Sequence, residues 1–187
     1  ACSEFLAAPL AAPGDEWREV PLVKLLRFFD NPARFFLENR MGIRLEDVAA
    51  PLEEREPFSV DGLESYNLRT DLLEIALQGG QARDYLPIAR CRGILPPARH
   101  GEIVFESAVC AVEAFSRDVK NQFDGQIPLP PLDFQLELAG FRLTGRLDGI
   151  RPERMIRYRC AKLKAKDQIR AWIEHLVLNA VQHGKYP

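Results

Sequence analysis

The sequence predicts an α+β fold, with helices in the first two thirds and a small antiparallel sheet and a closing helix in the last third. Apolar residues recur at helical spacing from about residue 22 to residue 122. Between residues 132 and 160 the period changes to the alternation typical of strands. The chain has 187 residues, of which 47% are hydrophobic and 28% charged. It is long enough to bury one sizeable core, which excludes a disordered protein.

The N-terminal part is predicted to contain two short helices after an irregular start. Residues 1–16 contain Ala, Pro and Gly with no apolar period, so we predict a linker or edge segment there and a single domain over 17–187. A first helix follows. Asn31 and Pro32 then suit the cap and the first position of a second helix that runs through Met41, because Asn accepts an orphan backbone N–H and proline has none.

Three more helices are predicted before the sheet. One begins at Asp61 and stops at the Gly79-Gly80 pair, a second covers 81–92, and a long third runs from about Gly101 to Gln122. Glycine, proline or a capping residue stands at these boundaries, and such residues are the usual signals of helix ends.

The last third is predicted to be a meander of three antiparallel strands followed by a helix. Residues 132–138 and 141–147 alternate around an Ala-Gly turn, which is typical of a β-hairpin. A third strand is predicted over 155–160 after another turn. The closing helix spans 167–181, and its apolar residues are expected to face inward. These are Ile169, Trp172, Ile173, Leu176, Val177 and Ala180.

Charge is divided unevenly along the chain, although the net charge is only −2. Residues 1–139 hold 14 Lys and Arg against 23 Asp and Glu, whereas residues 140–187 hold 11 against 4. A basic end on an acidic body is typical of a protein that meets an anionic partner on one side. The basic end is therefore the predicted binding region.

The chain lacks the sequence patterns of a nucleotide-hydrolysing motor. It has no GxxxxGKS/T loop, no GxGxxG and no GxSxG nucleophile elbow, which excludes helicase and serine hydrolase chemistry. Its four cysteines are scattered without a CxxC pair, and its three histidines are also separate. We therefore predict no zinc site.

The stretch after the hairpin resembles the core of the PD-(D/E)xK nuclease superfamily. The superfamily's motifs follow one another in the order GxxD, (D/E)xK, QxxxY. The matching positions here are the run 145–148, the segment ending in Arg157 and Arg159, and Gln168 on the last helix. In that superfamily two carboxylates hold Mg²⁺ against the scissile phosphate, and the lysine stabilises the attacking hydroxide. The resemblance implies a restriction-endonuclease-like core.

Three positions depart from the nuclease pattern. Asp148 fits the first carboxylate, but Arg157 stands where the second belongs, and Arg159 where the lysine belongs. Phe105 stands where related exonucleases place a metal-binding histidine. A guanidinium cannot ligate a metal ion, so we expect neither a catalytic residue nor a bound metal at these degenerate positions.

The sequence of the first two helices resembles one branch of this nuclease superfamily. Residues 20–43 follow the pattern LxxFxxCPxRFFLxxxLGI of RecB- and AddB-type nucleases, with Asn31 in place of the cysteine on which some relatives build an iron–sulfur cluster. Together with 56–63 and 93–96, this segment resembles the C-terminal domain of the RecC family, an inactivated relative of the RecB nuclease domain. The resemblance covers residues 17–187.

That resemblance implies a non-catalytic DNA-handling and subunit-interaction domain of exodeoxyribonuclease V, a cytoplasmic complex that acts in double-strand-break repair by recombination. The implied partners are RecB and RecD, duplex DNA ends and the separated single strands. No cofactor and no small-molecule substrate is implied. Apolar runs of about five residues are far shorter than the roughly 20 residues of a membrane helix, so no membrane partner is expected.

Basic residues cluster after the hairpin and are predicted to contact DNA phosphates. The predicted set is Arg146, Arg151, Arg154, Arg157, Arg159, Lys162, Lys164 and Lys166. Other interpretations stay open. Arg157 and Arg159 could pair with Asp148 and fill the former metal site. Glu137 or Glu106 could replace the missing carboxylate in an active nuclease, or the domain could be purely structural and never meet DNA.

Overall fold

The structure, a computed structural model, describes residues 10–44, 60, 62–182 and 186. Short 3₁₀ turns cover Asp15–Arg18 and Ala82–Tyr85. The other elements, in chain order, are β1 (Glu19–Pro21), α1 (Leu22–Asp30), α2 (Pro32–Arg40), α3 (Gly62–Leu77), α4 (Leu86–Cys91), α5 (Ala98–Phe123), β2 (Leu132–Leu138), β3 (Phe141–Leu147) and α6 (Ala165–Val181). The predicted α+β class is confirmed.

Most helices form where their end signals predicted them. At the start of α2, the Arg34 N–H donates to Asn31 Oδ1 at 3.0 Å, which confirms the predicted cap. The long helix α5 begins three residues before its predicted start and ends one residue after its predicted end. The stretch predicted as one helix over 81–92 is divided into the second 3₁₀ turn and α4. The predicted cap Asp61 lies outside the described residues.

The sheet is mixed, in the order β1-β3-β2. Strands β2 and β3 form the predicted hairpin, in which Leu138 pairs with Phe141 across a two-residue turn. Ala139 and Gly140 have φ values of 48° and 81°, and a type I′ hairpin turn requires positive φ at both positions. The hairpin prediction is confirmed.

The third strand of the sheet is not where the sequence predicted it, so the antiparallel meander is wrong. Residues 155–160 contribute only one isolated bridge, between Ile150 and Met155. The Ile156 N–H donates to the Gly149 carbonyl at 3.1 Å, so its backbone serves a local turn and not a ladder. The free edge of β3 is taken by β1, which pairs with it in parallel.

Two apolar clusters form the interior of the described residues. Helices α3, α4 and α5 enclose the first, which includes Leu72, Phe105 and Val112. The second joins α1, the hairpin and α6 through residues such as Leu147 and Leu178. The domain is therefore a helical layer beside a sheet covered by two helices, and the segment after β3 runs between the clusters.

A glycine allows α1 to pack closely on the sheet. A Cβ atom at Gly145 would lie 2.7 Å from Leu22 Cβ and 3.2 Å from the Phe134 ring. Such distances are well inside normal van der Waals contact, so only glycine fits without movement of its neighbours. The glycine of the GxxD pattern thus has a packing role, and it sets the height of α1 above the strand that leads to Asp148.

The inward face predicted for α6 is only partly correct. Val177 is buried, but Ile169, Trp172 and Leu176 are 40%, 61% and 49% exposed. Ala180 is also exposed. Because apolar residues occur on two sides of this helix, its period alone did not distinguish the covered side from the open one. In the described residues, no helix is long and apolar enough to cross a membrane.

Candidate nucleic-acid interface

A cleft of about 610 Å³ lies between α3, α6 and the C-terminal end of α1. The segment that follows β3 completes its lining. Asp148, Arg157 and Arg159 all line this cleft, so three of the four degenerate positions predicted from the nuclease pattern meet in one place. Phe105 does not. It is fully buried in the helical cluster, where a ring on α5 fills the core.

The guanidinium of Arg157 lies between two carboxylates in this cleft. Its Nη1 contacts Asp148 Oδ1 at 2.5 Å, and its Nε donates to Glu174 Oε2 at 2.5 Å. The same Nη1 also donates to the Asp148 carbonyl at 2.8 Å. Burial opposes the charge of Arg157, but the hydrogen bond and charge of Glu174, together with Asp148, outweigh it and raise the pKa of Arg157.

A glycine makes this arrangement possible. Gly149 has a φ of 64°, and a Cβ atom there would lie 2.6 Å from Arg157 Nη1 and 2.9 Å from the Ile156 carbonyl. A side chain at this position would therefore push the guanidinium off Asp148. The pairing of Arg157 with Asp148, which the sequence left as an open alternative, is present.

Arg159 does not join Asp148, because it bonds to the first turn of α6. Its Nη1 donates to both oxygens of Asp167 at 2.9 Å, and its guanidinium lies 4.9 Å from the centre of the Tyr66 ring. The Lys164 N–H also donates to Asp167 at 2.9 Å. That hydrogen bond and the charge of Arg159 outweigh burial and lower the pKa of Asp167.

The eight basic residues predicted to contact DNA fall into three groups. Arg151 is buried, donates to the Gln126 carbonyl and lies 3.7 Å from the centre of the Phe123 ring, so it is corrected to a structural residue. Arg157 and Arg159 are paired as described above. Arg146 lies 3.7 Å from Asp133, its partner across the hairpin.

The remaining four are exposed. Arg154, Lys162, Lys164 and Lys166 have no carboxylate oxygen within 4.0 Å among the described residues. Lys166 lines the cleft itself, and the other two lysines lie in the extended stretch that leads to α6. These four cations are the ones available to a phosphate backbone.

The carboxylates proposed as substitute metal ligands lie elsewhere. Glu137 pairs with Arg142 on the hairpin at 2.8 Å, and Glu106 pairs with Arg83 at 3.3 Å. Neither residue lines the cleft. Across the described part of the chain, no three His, Cys, Asp or Glu side chains are placed to hold a metal ion.

A family model described as the RecC C-terminal domain matches residues 17–185. The chain belongs to this family. Among curated relatives, a protein named RecBCD enzyme subunit RecC from Haemophilus influenzae is 29% identical over 193 residues, which cover 99% of the chain and 17% of that relative. The proteins of that name from Escherichia coli and Mycolicibacterium smegmatis are each 28% identical, over 84% and 94% of the chain and 14% and 16% of the relative. The chain thus spans about a sixth of the length of these RecC proteins.

Sequence reasoning missed one main residue of this RecC C-terminal domain site. Glu174 is 8% exposed and supplies the second carboxylate to Arg157. The signal was present, because Glu174 lies one helical turn before Val177 and Leu178, on the buried side of α6. A carboxylate on a buried helix face needs a cationic partner, and Arg157 provides it.

Proposed function

We propose that this RecC C-terminal domain is a non-catalytic DNA-handling and subunit-interaction domain of a RecBCD-type helicase and exonuclease complex in double-strand-break repair by recombination. The observation that carries the non-catalytic part is the position of Arg157 between Asp148 and Glu174. The names of the RecC relatives support the complex, with RecB and RecD as partner subunits. We also propose a cytoplasmic location, because bacterial DNA lies in the cytoplasm.

The proposed loss of catalysis follows because Asp148 and Glu174 hold the guanidinium of Arg157 and not a metal ion. An active site of the PD-(D/E)xK type uses such a pair to hold Mg²⁺ against the scissile phosphate. In this domain the protein's own guanidinium occupies the space between the carboxylates and hydrogen-bonds to both. A metal ion would have to displace it. We therefore infer a degenerate nuclease-like core that itself cuts no DNA.

The proposed DNA contacts are made by the four available cations, Arg154, Lys162, Lys164 and Lys166. Lysine ammonium groups on flexible stems suit phosphate oxygens, whose positions do not depend on base sequence. We expect this surface to bind duplex ends and separated strands through their backbones. The bases are then left for other parts of the complex to read.

The open side of α6 supports the interaction half of the proposal. Ile169, Trp172 and Leu176 lie three and four residues apart on one helix and are all exposed. Apolar residues at this spacing form a continuous stripe, of the kind that packs against a second protein surface. We propose that this stripe meets another part of the RecBCD-type assembly.

The experiment is fluorescence anisotropy on a forked duplex with the full-length subunit that carries this domain. The subunit is compared with its Lys162→Gln/Lys164→Gln variant across a series of salt concentrations. Each phosphate contact contributes about 0.9 to the slope of log K against log salt on B-DNA, so the variant should lose about 1.8. The matched control is Arg83→Gln/Arg90→Gln, which removes the same charge from ion-paired residues outside the cleft. An unchanged slope in the lysine variant would contradict the DNA contacts.

Calorimetric titration with Mg²⁺ tests the non-catalytic half. We expect no micromolar site in the wild-type domain, because Arg157 is held by two carboxylates. A micromolar site that Asp148→Asn abolishes, together with cleavage of linear duplex, would instead indicate an active nuclease.

A further inference from the structure

A second groove lies between α1 and α2 and reaches Lys166 on α6. Its volume is about 990 Å³, larger than that of the cleft. Basic residues from α1, α2, α6 and the segment after α2 contribute to its lining, namely Lys24, Arg27, Arg34, Arg44 and Lys166. Among the described residues, two acidic ones do so, Asp30 and Glu38. The described part of the lining therefore carries an excess of three positive charges.

The two acidic residues are already paired, so they do not neutralise the remaining cations. Asp30 bonds to Arg170 on α6 at 2.9 Å, and Glu38 bonds to Arg34 within α2 at 2.7 Å. In the described ranges, Lys24, Arg27 and Lys166 have no carboxylate within 4.0 Å.

Packing restrains one of these cations, although its aromatic partner is not part of the groove lining. The Nζ of Lys24 lies 4.5 Å from the centre of the Trp17 ring, and Arg40 approaches the same ring at 5.3 Å. A cation held on an aromatic ring loses less side-chain freedom when it meets an anion than a freely rotating one does. Like charges gathered in a concave surface also concentrate the positive potential, which a polyanion relieves.

The groove and the cleft share two lining residues. Asp30 and Lys166 belong to both, so the two concave surfaces adjoin at the C-terminal end of α1. A chain of phosphates bound in the cleft would reach Lys166, which both surfaces share, and beyond it the cations of α1. A flexible single strand can follow two adjoining concave surfaces, whereas a duplex, with a persistence length of about 50 nm, resists bending over so short a distance.

We propose that the groove between α1 and α2 binds the phosphate backbone of a single DNA strand that continues from the cleft. Lys24 and Arg27 are its contact residues on α1, and Lys166 joins the two sites. This inference rests on the proposed function, because it extends the DNA path beyond the residues named there. Neither Lys24 nor Arg27 belongs to the basic segment that follows the hairpin.

The test uses the full-length subunit and a fluorescein-labelled oligo(dT) strand, with affinity measured across a salt series. The Lys24→Gln/Arg27→Gln variant should weaken binding and lower the slope of log K against log salt by about 1.4, because each lost contact on a single strand contributes about 0.7. The Arg99→Gln/Arg117→Gln variant removes the same charge from α5, outside both surfaces. It should leave the slope unchanged.

The outcomes separate this inference from the proposed function. If Lys162→Gln/Lys164→Gln lowers the slope but Lys24→Gln/Arg27→Gln does not, the groove is not part of the strand path and the proposed function still holds. If neither variant lowers the slope, both fail. If the groove variant and the α5 control lower it equally, a general charge effect replaces the groove, and the inference is overturned.

Discussion

Removing the guanidinium of Arg157 should destabilise the domain more than removing any of its exposed ion pairs. The side chain of Glu174 is only 10% exposed and that of Arg157 30%, so Arg157→Met leaves a nearly buried carboxylate without its partner. Breaking a buried pair costs about 3–5 kcal/mol, and the partial exposure of Arg157 reduces our expectation to about 2–3 kcal/mol. Asp148 is 75% exposed, so Asp148→Asn should cost less than about 1 kcal/mol.

The double variant identifies the cause of that loss. In Arg157→Met/Glu174→Met no buried unpaired charge remains, because Asp148 is 75% exposed, and two apolar side chains fill the space. Replacement of a buried pair by apolar residues is often neutral, so the double variant should lie within about 1 kcal/mol of the wild type. The two single changes should then show a coupling energy of about 2 kcal/mol.

The assay is urea unfolding of the purified chain followed by far-UV circular dichroism. The matched control is Arg142→Met, since Arg142 also bridges two carboxylates, Glu19 and Glu137, but does so on an exposed strand face. Its loss should be clearly smaller than that of Arg157→Met. If Arg157→Met costs no more than Arg142→Met and shows no coupling to Glu174, the guanidinium is not held between its carboxylates, and the argument for a blocked metal site is refuted.

Three further changes test the local structure by thermal or urea unfolding. Ala139→Asn should stabilise the domain by roughly 0.5–1 kcal/mol, because Ala139 has a φ of 48° and Asn tolerates this conformation better; a loss would contradict the turn type. Gly145→Ala should lower the free energy of unfolding by about 1–3 kcal/mol, because the added methyl group overpacks against Leu22. The control Gly42→Ala has open space around it, so it should show only the backbone strain of a positive φ and no overpacking. The pKa of Asp167 is lowered in the folded domain, so its ion pair contributes to the free energy of unfolding above its ordinary pKa of 3.8. That contribution is lost as the pH falls through the lower pKa of the folded state. Asp167→Asn should therefore reduce stability near pH 6 and flatten the pH dependence below pH 4; an unchanged acid profile would contradict the pairing.

Local signals predicted the helices and the hairpin well, because each is determined within a few residues. Asn31 and Pro32 specify their own cap, and the alternation on each side of Ala139 specifies its own turn. The parallel strand β1 is different. It has three residues and ends in proline, and its place beside β3 depends on contacts such as that between Glu19 and Arg142, 123 residues apart. No short pattern encodes a pairing at that distance.

The site was predictable where residues are neighbours in sequence and not where the fold brings them together. Asp148 and Arg157 are nine residues apart and were correctly associated. Glu174, from a helix seventeen residues further on, was not. Phe105 was assigned by its position in a motif, but the side chain points into the helical cluster. A motif gives the order of elements and does not fix which side of a helix meets the cleft.

The roles of arginine and lysine in the basic end differ for a physical reason. Arginine presents a planar fork of donors that matches carboxylates. Five arginines of this basic end are ion-paired with carboxylates, namely Arg142, Arg146, Arg157, Arg159 and Arg170. Lysine is a hydrated point charge on a flexible stem, and Lys162, Lys164 and Lys166 remain exposed. Much of the positive charge that the sequence places after residue 139 is therefore held in ion pairs, on the hairpin or in the cleft. The charge that remains for the proposed DNA contacts comes mainly from the lysines, so the segment from 162 to 166, and not the arginine-rich segment before it, should determine how strongly this domain holds a phosphate backbone.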